Sequence, residues 1–251
     1  MATAGARSER RYLVAGALLL PLLWEGLART SVLSGAVPPI SAVFAALFLD
    51  GDLGVYLDAA GFTAANAGLG YLLGAAIGAG MGITALLVPP LRRGIVRFGA
   101  LLNATPVIAL GPILLATVPR EGLPVAVSAF FVFFSVLVAL LRGFDETSPH
   151  LHDVLSVLGV DRRRRFLHLE LPNALPTLIA GLKVAAPAAV VGSVFGEWFG
   201  LDQGLGPIMI SSMQNYALAA LWAATLLAGG LGVLVYLLLS VAERRIAARY
   251  R

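Results

Sequence analysis

The sequence has no cysteine, three histidines and, among its 18 basic residues, one lysine, Lys183. Without cysteine there are no disulfides, thiolate metal sites or cysteine nucleophiles, and three imidazoles are too few for a histidine-rich metal centre. The lone lysine follows Gly181-Leu182 inside an apolar run, so no G-x-x-x-x-G-K-[ST] phosphate loop exists and the chain does not hydrolyse ATP by that route. The 14 acidic residues form no paired carboxylates, and neither a His-Glu-x-x-His helix nor a G-x-S-x-G elbow occurs. No catalytic residue, no metal ligand and no cofactor of its own are therefore assigned to this chain. Charge of either sign is scarce, at 13% of residues, against roughly 25% in soluble domains.

What fills the chain is apolar: 59% hydrophobic residues and a mean hydropathy of +0.87. A bilayer core of roughly 30 Å takes about 20 mostly apolar residues per helix. Stretches of that kind lie near Tyr12 to Ala28, Phe62 to Val88, Phe98 to Val118, Leu123 to Leu141, Leu175 to Phe195 and Leu218 to Val241. They are long, rich in Ala, Leu and Gly, and lack the alternation of a barrel wall. The expected fold is an all-α membrane protein of about six transmembrane helices, with residues 1–251 forming a single transmembrane domain. The first stretch follows Arg7, Arg10 and Arg11 in the manner of a signal peptide, but no small-x-small cleavage site stands out and it is read as a retained helix.

The arginines set an expected topology, because cytoplasmic flanks carry the excess of Lys and Arg. With the N-terminus inside, the cytoplasmic side collects Arg7, Arg10, Arg11, Arg92, Arg93, Arg97, Arg142, the Arg162 to Arg165 run, Arg244, Arg245, Arg249 and Arg251. The outer side keeps Arg29 and Arg120. Both termini and the 143–172 loop are then cytoplasmic. The net charge of +4 is explained by this flanking pattern rather than by a nucleic-acid surface.

The 143–172 loop is the most polar stretch between two apolar segments. Leu151, Val154, Leu155 and Leu158 recur at helical spacing, Gly159 supplies a left-handed helix stop, and Asp161 can cap a second short helix carrying Arg162 to Arg165. Pro172 is expected to end that segment before the next span. The result is an elbow with an apolar side and a cationic side, suited to a groove on a soluble partner. The arginines alone would also satisfy the positive-inside pattern, touching anionic lipid at about 1 kcal/mol each.

Polar residues inside spans are functional candidates because they are costly there. Asn66, Asn103, Thr105, Ser193 and Glu197, with Pro106 beside Thr105, are the candidate pathway-lining residues. Asn66 and Thr105 serve equally as interhelical hydrogen-bond partners. Glu197 sits toward the outer mouth, either contacting a delivering protein or simply hydrated. Lys183 lies close enough to the start of its span to snorkel to the cytoplasmic interface. Pro106, Pro112 and Pro187 bend helices, either along a moving pathway or as static kinks. Gly70, Gly74, Gly78 and Gly82 form small-xxx-small faces that suit packing within the subunit as well as between two copies.

The segment DVLSVLGVDRRRRFLHLELP, Asp153 to Pro172, resembles the docking loop of bacterial ABC importer permeases, E-A-A-x3-G-x9-I-x-L-P. Asp153 stands for the acid, Gly159 for the glycine, Leu169 for the isoleucine and Leu171-Pro172 for the closing pair, while Val154 and Leu155 replace the two alanines. WEGLAR (24–29), VPPISAVFAAL (37–47), ATPVIALGPILL (104–115), LPNALPTLIAGLKVA (171–185) and GEWFGLDQGLGPIM (196–209) are similar to the nitrate, sulfonate and taurine group. The resemblance implies the type I importer permease fold in a bacterial inner membrane. It also implies a docking set of Asp153, Leu158, Gly159, Asp161, Arg162, Arg163, Leu171 and Pro172. The implied partners are two ABC ATPase subunits that use ATP and Mg, an extracytoplasmic solute-binding protein and a second permease copy. The implied solute is a small anion such as a sulfonate, taurine or nitrate, or a pyrimidine-type vitamin precursor. A secondary transporter or channel working without an ATPase would show inverted repeats or intramembrane carboxylate chains, and neither is evident. A membrane scaffold that keeps the docking elbow but has no pathway is the other alternative.

Overall fold

The computed structural model describes residues 16, 18–30, 36–49, 52–146 and 157–247, and among them every regular element is helical. The helices are α1 (Leu18–Ala28), α2 (Ile40–Phe48), α3 (Leu53–Leu87), α4 (Pro89–Ala104), α5 (Val107–Thr117), α6 (Leu123–Asp145), α7 (Leu171–Glu197), α8 (Leu205–Gln214) and α9 (Leu218–Ala247). A 3-10 turn at Arg120–Gly122 leads into α6, and a helical turn at Arg162–Arg165 followed by a π-turn at Phe166–Glu170 leads into α7. The chain divides into two compact units, residues 1–58 with 208–226 and residues 59–207 with 227–251.

In the first unit, α1 and the start of α2 are held by specific polar contacts. The indole of Trp24 donates to the carbonyl of Pro38 at 3.0 Å, and that of Trp222 to Ala36 at 3.4 Å, with the two rings edge to face at 5.1 Å. The Glu25 carboxylate accepts the Ser41 N–H at 3.1 Å and its hydroxyl at 2.8 Å, while Arg29 donates to it at 2.7 Å. Ser41 lies in the first turn of α2, where N–H groups have no helical partner. The segments WEGLAR and VPPISAVFAAL therefore form one packed motif.

The second unit is organised on α6, whose Leu123, Val127, Val132, Val136, Leu137 and Leu140 are all buried. Close approach to α6 is made possible by glycine. A Cβ on Gly74 would lie 2.5 Å from the Ala129 carbonyl oxygen and 2.8 Å from Val132 Cβ, and one on Gly78 would press on the Phe133 carbonyl. The α3 stripe of Gly70, Gly74, Gly78 and Gly82 thus packs within the chain, as small-xxx-small faces do in lipid. α7 reaches α6 the same way, through Gly181 on Ala139, Gly192 on Ser128 and Gly196 on Pro124. The buried Ser128 hydroxyl donates to the Ala189 carbonyl at 2.7 Å.

Among the described residues, four helical runs are long and apolar enough to cross a membrane: Leu53–Leu87, Arg120–Asp145, Arg163–Glu197 and Leu218–Val241. They correspond to four of the expected spans. The stretch Phe98 to Val118 departs from expectation, because it is no single helix: α4 and α5 are bent by 102° at Thr105-Pro106. Proline lacks the N–H to continue the ladder and drives its predecessor out of the helical region, and Thr105 is extended at φ −79°, ψ 123°. If the bent pair is one span the count is five. Residues 12–15 and 17 of the Tyr12 to Ala28 stretch lie outside the described residues, and α1 as described is too short to cross alone.

Candidate functional site

Of the docking elbow, residues 147–156 lie outside the described residues, so Asp153 and the stripe Leu151, Val154 and Leu155 do too. From Val157 onward the geometry is explicit. Gly159 has φ +67°, the left-handed conformation its position demanded. A Cβ there would meet nothing within 4 Å, so backbone conformation rather than space calls for glycine. Beside it Val157 and Leu158 are 86% and 69% exposed, an apolar tip that the rest of the chain leaves uncovered. Asp161 accepts the Arg164 N–H at 3.3 Å and so caps the turn Arg162–Arg165 as the sequence suggested.

The base of the elbow is anchored. Phe166 is buried with Leu140, Phe144 and Ala174, and its ring meets that of Phe144 edge to face at 6.4 Å. Arg165 turns inward, placing Nε 3.3 Å from the buried Glu170 carboxylate, while the neighbouring Arg163 and Arg164 are exposed. The cationic run is thus divided between a structural arginine and solvent-facing ones. Pro172 does not end the segment, contrary to expectation. Helix continues through it, because the π-turn pairs the Leu171 N–H with the Phe166 carbonyl and shifts the ladder just before the proline. Leu171 and Pro172 therefore belong to the first turn of α7 and join elbow to span in one helical run.

The pathway candidates separate into two groups. Ser193 and Glu197 are fully buried, Glu197 at 1% exposure. Its carboxylate accepts the Gly206 N–H at 2.8 Å and the Thr63 hydroxyl at 3.1 Å on one oxygen, with the Ser193 hydroxyl 3.0 Å from the other. Asn66, Asn103, Thr105 and Pro106 are not gathered with them. Asn66 donates to the Phe62 carbonyl at 3.1 Å and Thr105 to Leu101 at 2.9 Å, each within its own helix, and Asn103 and Pro106 are exposed at the α4–α5 break.

Lys183 does not stand free in its span. Its ammonium lies 2.5 Å from Glu243 of α9 and 5.6 Å from the Tyr236 ring centre. Sequence reasoning missed Glu243, Thr63 and Tyr71, whose hydroxyl donates to the Leu182 carbonyl at 3.0 Å. The signal available for Thr63 was a polar residue on the face of α3 four before Ala67, which by itself marks no partner. Among the described residues no cluster of acidic, histidine or cysteine side chains could hold a metal ion.

Comparison with known proteins places this geometry. A family profile, "Binding-protein-dependent transport system inner membrane component", matches residues 70–251. The formylaminopyrimidine transport permease ThiX of Halalkalibacterium halodurans is 27% identical over 219 residues, covering 86% of this chain and 87% of the relative. The putative aliphatic sulfonates transport permease SsuC of Bacillus subtilis is 26% identical, covering 82% and 77%. In fold, the chain is similar to an amino acid ABC transporter chain at TM-score 0.64 and 15% identity, over 77% of this chain and 94% of that one. It is also similar to the inward-facing MetNI methionine ABC transporter at TM-score 0.58 and 20% identity, over 79% and 97%.

Proposed function

From the chain's membership of the binding-protein-dependent transport system inner membrane component family, which makes it a multi-pass membrane permease of an ABC importer, we propose how it works. It is the non-catalytic subunit that forms the translocation pathway, with both termini and the 143–172 loop in the cytoplasm. Separate ATPase subunits, using ATP and Mg, grip the elbow around Gly159. An extracytoplasmic binding protein delivers a small solute, and a second permease copy completes the pathway. ATP-driven closure of the ATPase pair moves the elbows and exchanges inward and outward openings.

The observation that carries this reading is the elbow itself: a left-handed Gly159 presenting the exposed Val157 and Leu158, on a base anchored by Phe166. Two adjacent apolar side chains that the chain itself leaves uncovered suit contact with a partner. For the solute, the relatives named for formylaminopyrimidine and for aliphatic sulfonates supply two classes. Lys183 is the one cation within the six apolar stretches, and its pairing with Glu243 occupies it. That pairing favours the uncharged pyrimidine class over the sulfonate.

The absence of cysteine makes a direct test available. Leu158→Cys places a single thiol at the elbow tip, and the complex is purified from native membranes after crosslinking and analysed by mass spectrometry. A P-loop ATPase crosslinked through that thiol, recovered with a binding protein whose ligand is then identified, is the expected result. Recovery of the permease alone would replace this reading by an autonomous transporter or a scaffold.

A further inference from the structure

Resting on the permease reading above, a second role attaches to Glu197. It is the least exposed ionisable residue among the described residues, at 1% against 5% for Glu170, and it lies at the last residue of α7. A carboxylate serving a solute would keep acceptor positions directed at an opening. Those of Glu197 are directed at the chain: Gly206 N–H at 2.8 Å, the Thr63 hydroxyl at 3.1 Å and the Ser193 hydroxyl at 3.0 Å. Thr63 in turn accepts the Leu205 N–H at 3.0 Å. The first two N–H groups of α8, which have no helical partner, are thus taken up by Glu197 directly or through Thr63.

Two glycines show how tightly the backbone is laid over this group. Gly204 has φ +106°, and a Cβ on it would run into the Glu197 carboxylate. A Cβ on Gly206 would lie 2.7 Å from Glu197 Cβ and 2.8 Å from the Val194 carbonyl oxygen. One carboxylate therefore ties together α3, the end of α7 and the start of α8. At the other end of the same helical run, Arg163–Glu197, stands the docking elbow, roughly 50 Å away at 1.5 Å per residue.

We infer that Glu197 is a positioning residue that couples the elbow to α8: movement of α7 imposed at Gly159 is handed to the first turn of α8 through the Glu197 carboxylate and Thr63. Solute contact is no part of this role. A buried network in which Ser193 lies within hydrogen-bond reach of both Glu197 and the Thr63 carbonyl at 3.1 Å has few alternative arrangements, so it transmits displacement instead of absorbing it.

The test uses the intact complex with its ATPase and a single reporter thiol at the exposed Asp202, introduced as Asp202→Cys into the cysteine-free chain. The rate of labelling by a maleimide is read without nucleotide and after trapping with ATP and vanadate. The expected result is a change of about threefold or more on trapping in the parent. Thr63→Val and Glu197→Gln should each abolish that change while basal ATP hydrolysis stays within about twofold, and Thr63→Ser should restore it. Persistence of the change in Glu197→Gln, or its absence in the parent, overturns the inference. So does joint loss of hydrolysis and assembly in both variants with no rescue by Thr63→Ser, which would mark a structural role alone. Failure of any ATPase to accompany the parent chain is a different result, and sinks the permease reading itself.

Discussion

Thr63 and Glu197 lie 134 residues apart in the chain and share a buried hydrogen bond of 3.1 Å. Thr63 belongs to α3 and Glu197 ends α7, and the N-terminal N–H groups of α8 close the cluster. This relationship makes the GEWFGLDQGLGPIM segment a folded corner built around its own glutamate.

Gly206→Ala is expected to lower stability, because its methyl would meet Glu197 Cβ and the Val194 carbonyl at 2.7 and 2.8 Å. Overpacking of that kind costs about 1–3 kcal/mol. Thermal unfolding in detergent should show a clear drop in Tm, and an unchanged Tm would mean the corner is looser than described.

Gly159→Val should leave membrane insertion intact and abolish transport. The position is open to a side chain but sits at φ +67°, a region that costs an L-residue about 1–2 kcal/mol and a β-branched one more. Solute uptake in vesicles, alongside expression level, checks this. Normal uptake by the variant would remove the elbow from the mechanism.

On α3, Gly74→Val and Gly80→Ala should differ sharply although six residues apart. The first intrudes on Ala129 and Val132 of α6, whereas the second meets nothing within 4 Å. The expected outcome is a loss of at least about 2 kcal/mol for Gly74→Val and no loss for Gly80→Ala. Unfolding of the two variants side by side reads the contrast directly.

Arg165→Ala should destabilise where Arg163→Ala does not. Arg165 faces the buried Glu170 at 3.3 Å, and removing it leaves a carboxylate deprived of that cation; Arg163 is exposed. A cost of about 1–3 kcal/mol is expected at 165 alone, measured by the same unfolding assay. Equal tolerance at both positions would return the whole run to a lipid-facing role.

The Lys183–Glu243 pair should behave as a unit. Lys183→Ala and Glu243→Ala are each expected to lower stability, and exchange of the two residues to restore most of it. A double-mutant cycle with no coupling would show that the contact contributes nothing.

Much of the bundle was legible in the chain because the bilayer admits few solutions: long apolar runs must be helices when no water can satisfy the backbone. Leu123 to Leu141 and Leu218 to Val241 needed nothing more. The α4–α5 break was only half visible. Pro106 announced a disturbance, but a bend of 102° depends on which neighbours receive the two halves. The elbow shows the same division. Gly159 was readable because a left-handed residue has a one-letter signature, whereas the inward turn of Arg165 was hidden among four identical arginines.

Composition and spacing by themselves determined the class of this protein: an all-α membrane chain carrying a glycine elbow between two apolar stretches. Each of those features is local, set by transfer free energy or by the backbone of one residue. Tertiary structure alone decided what the buried polar groups do. Glu197 and Ser193 were read as pathway candidates and Lys183 as a snorkelling side chain, and the fold gave the first two to a corner with Thr63 and the third to Glu243. A polar group in an apolar interior takes whichever partner packing brings within 3 Å or so, and that partner lies far away in sequence.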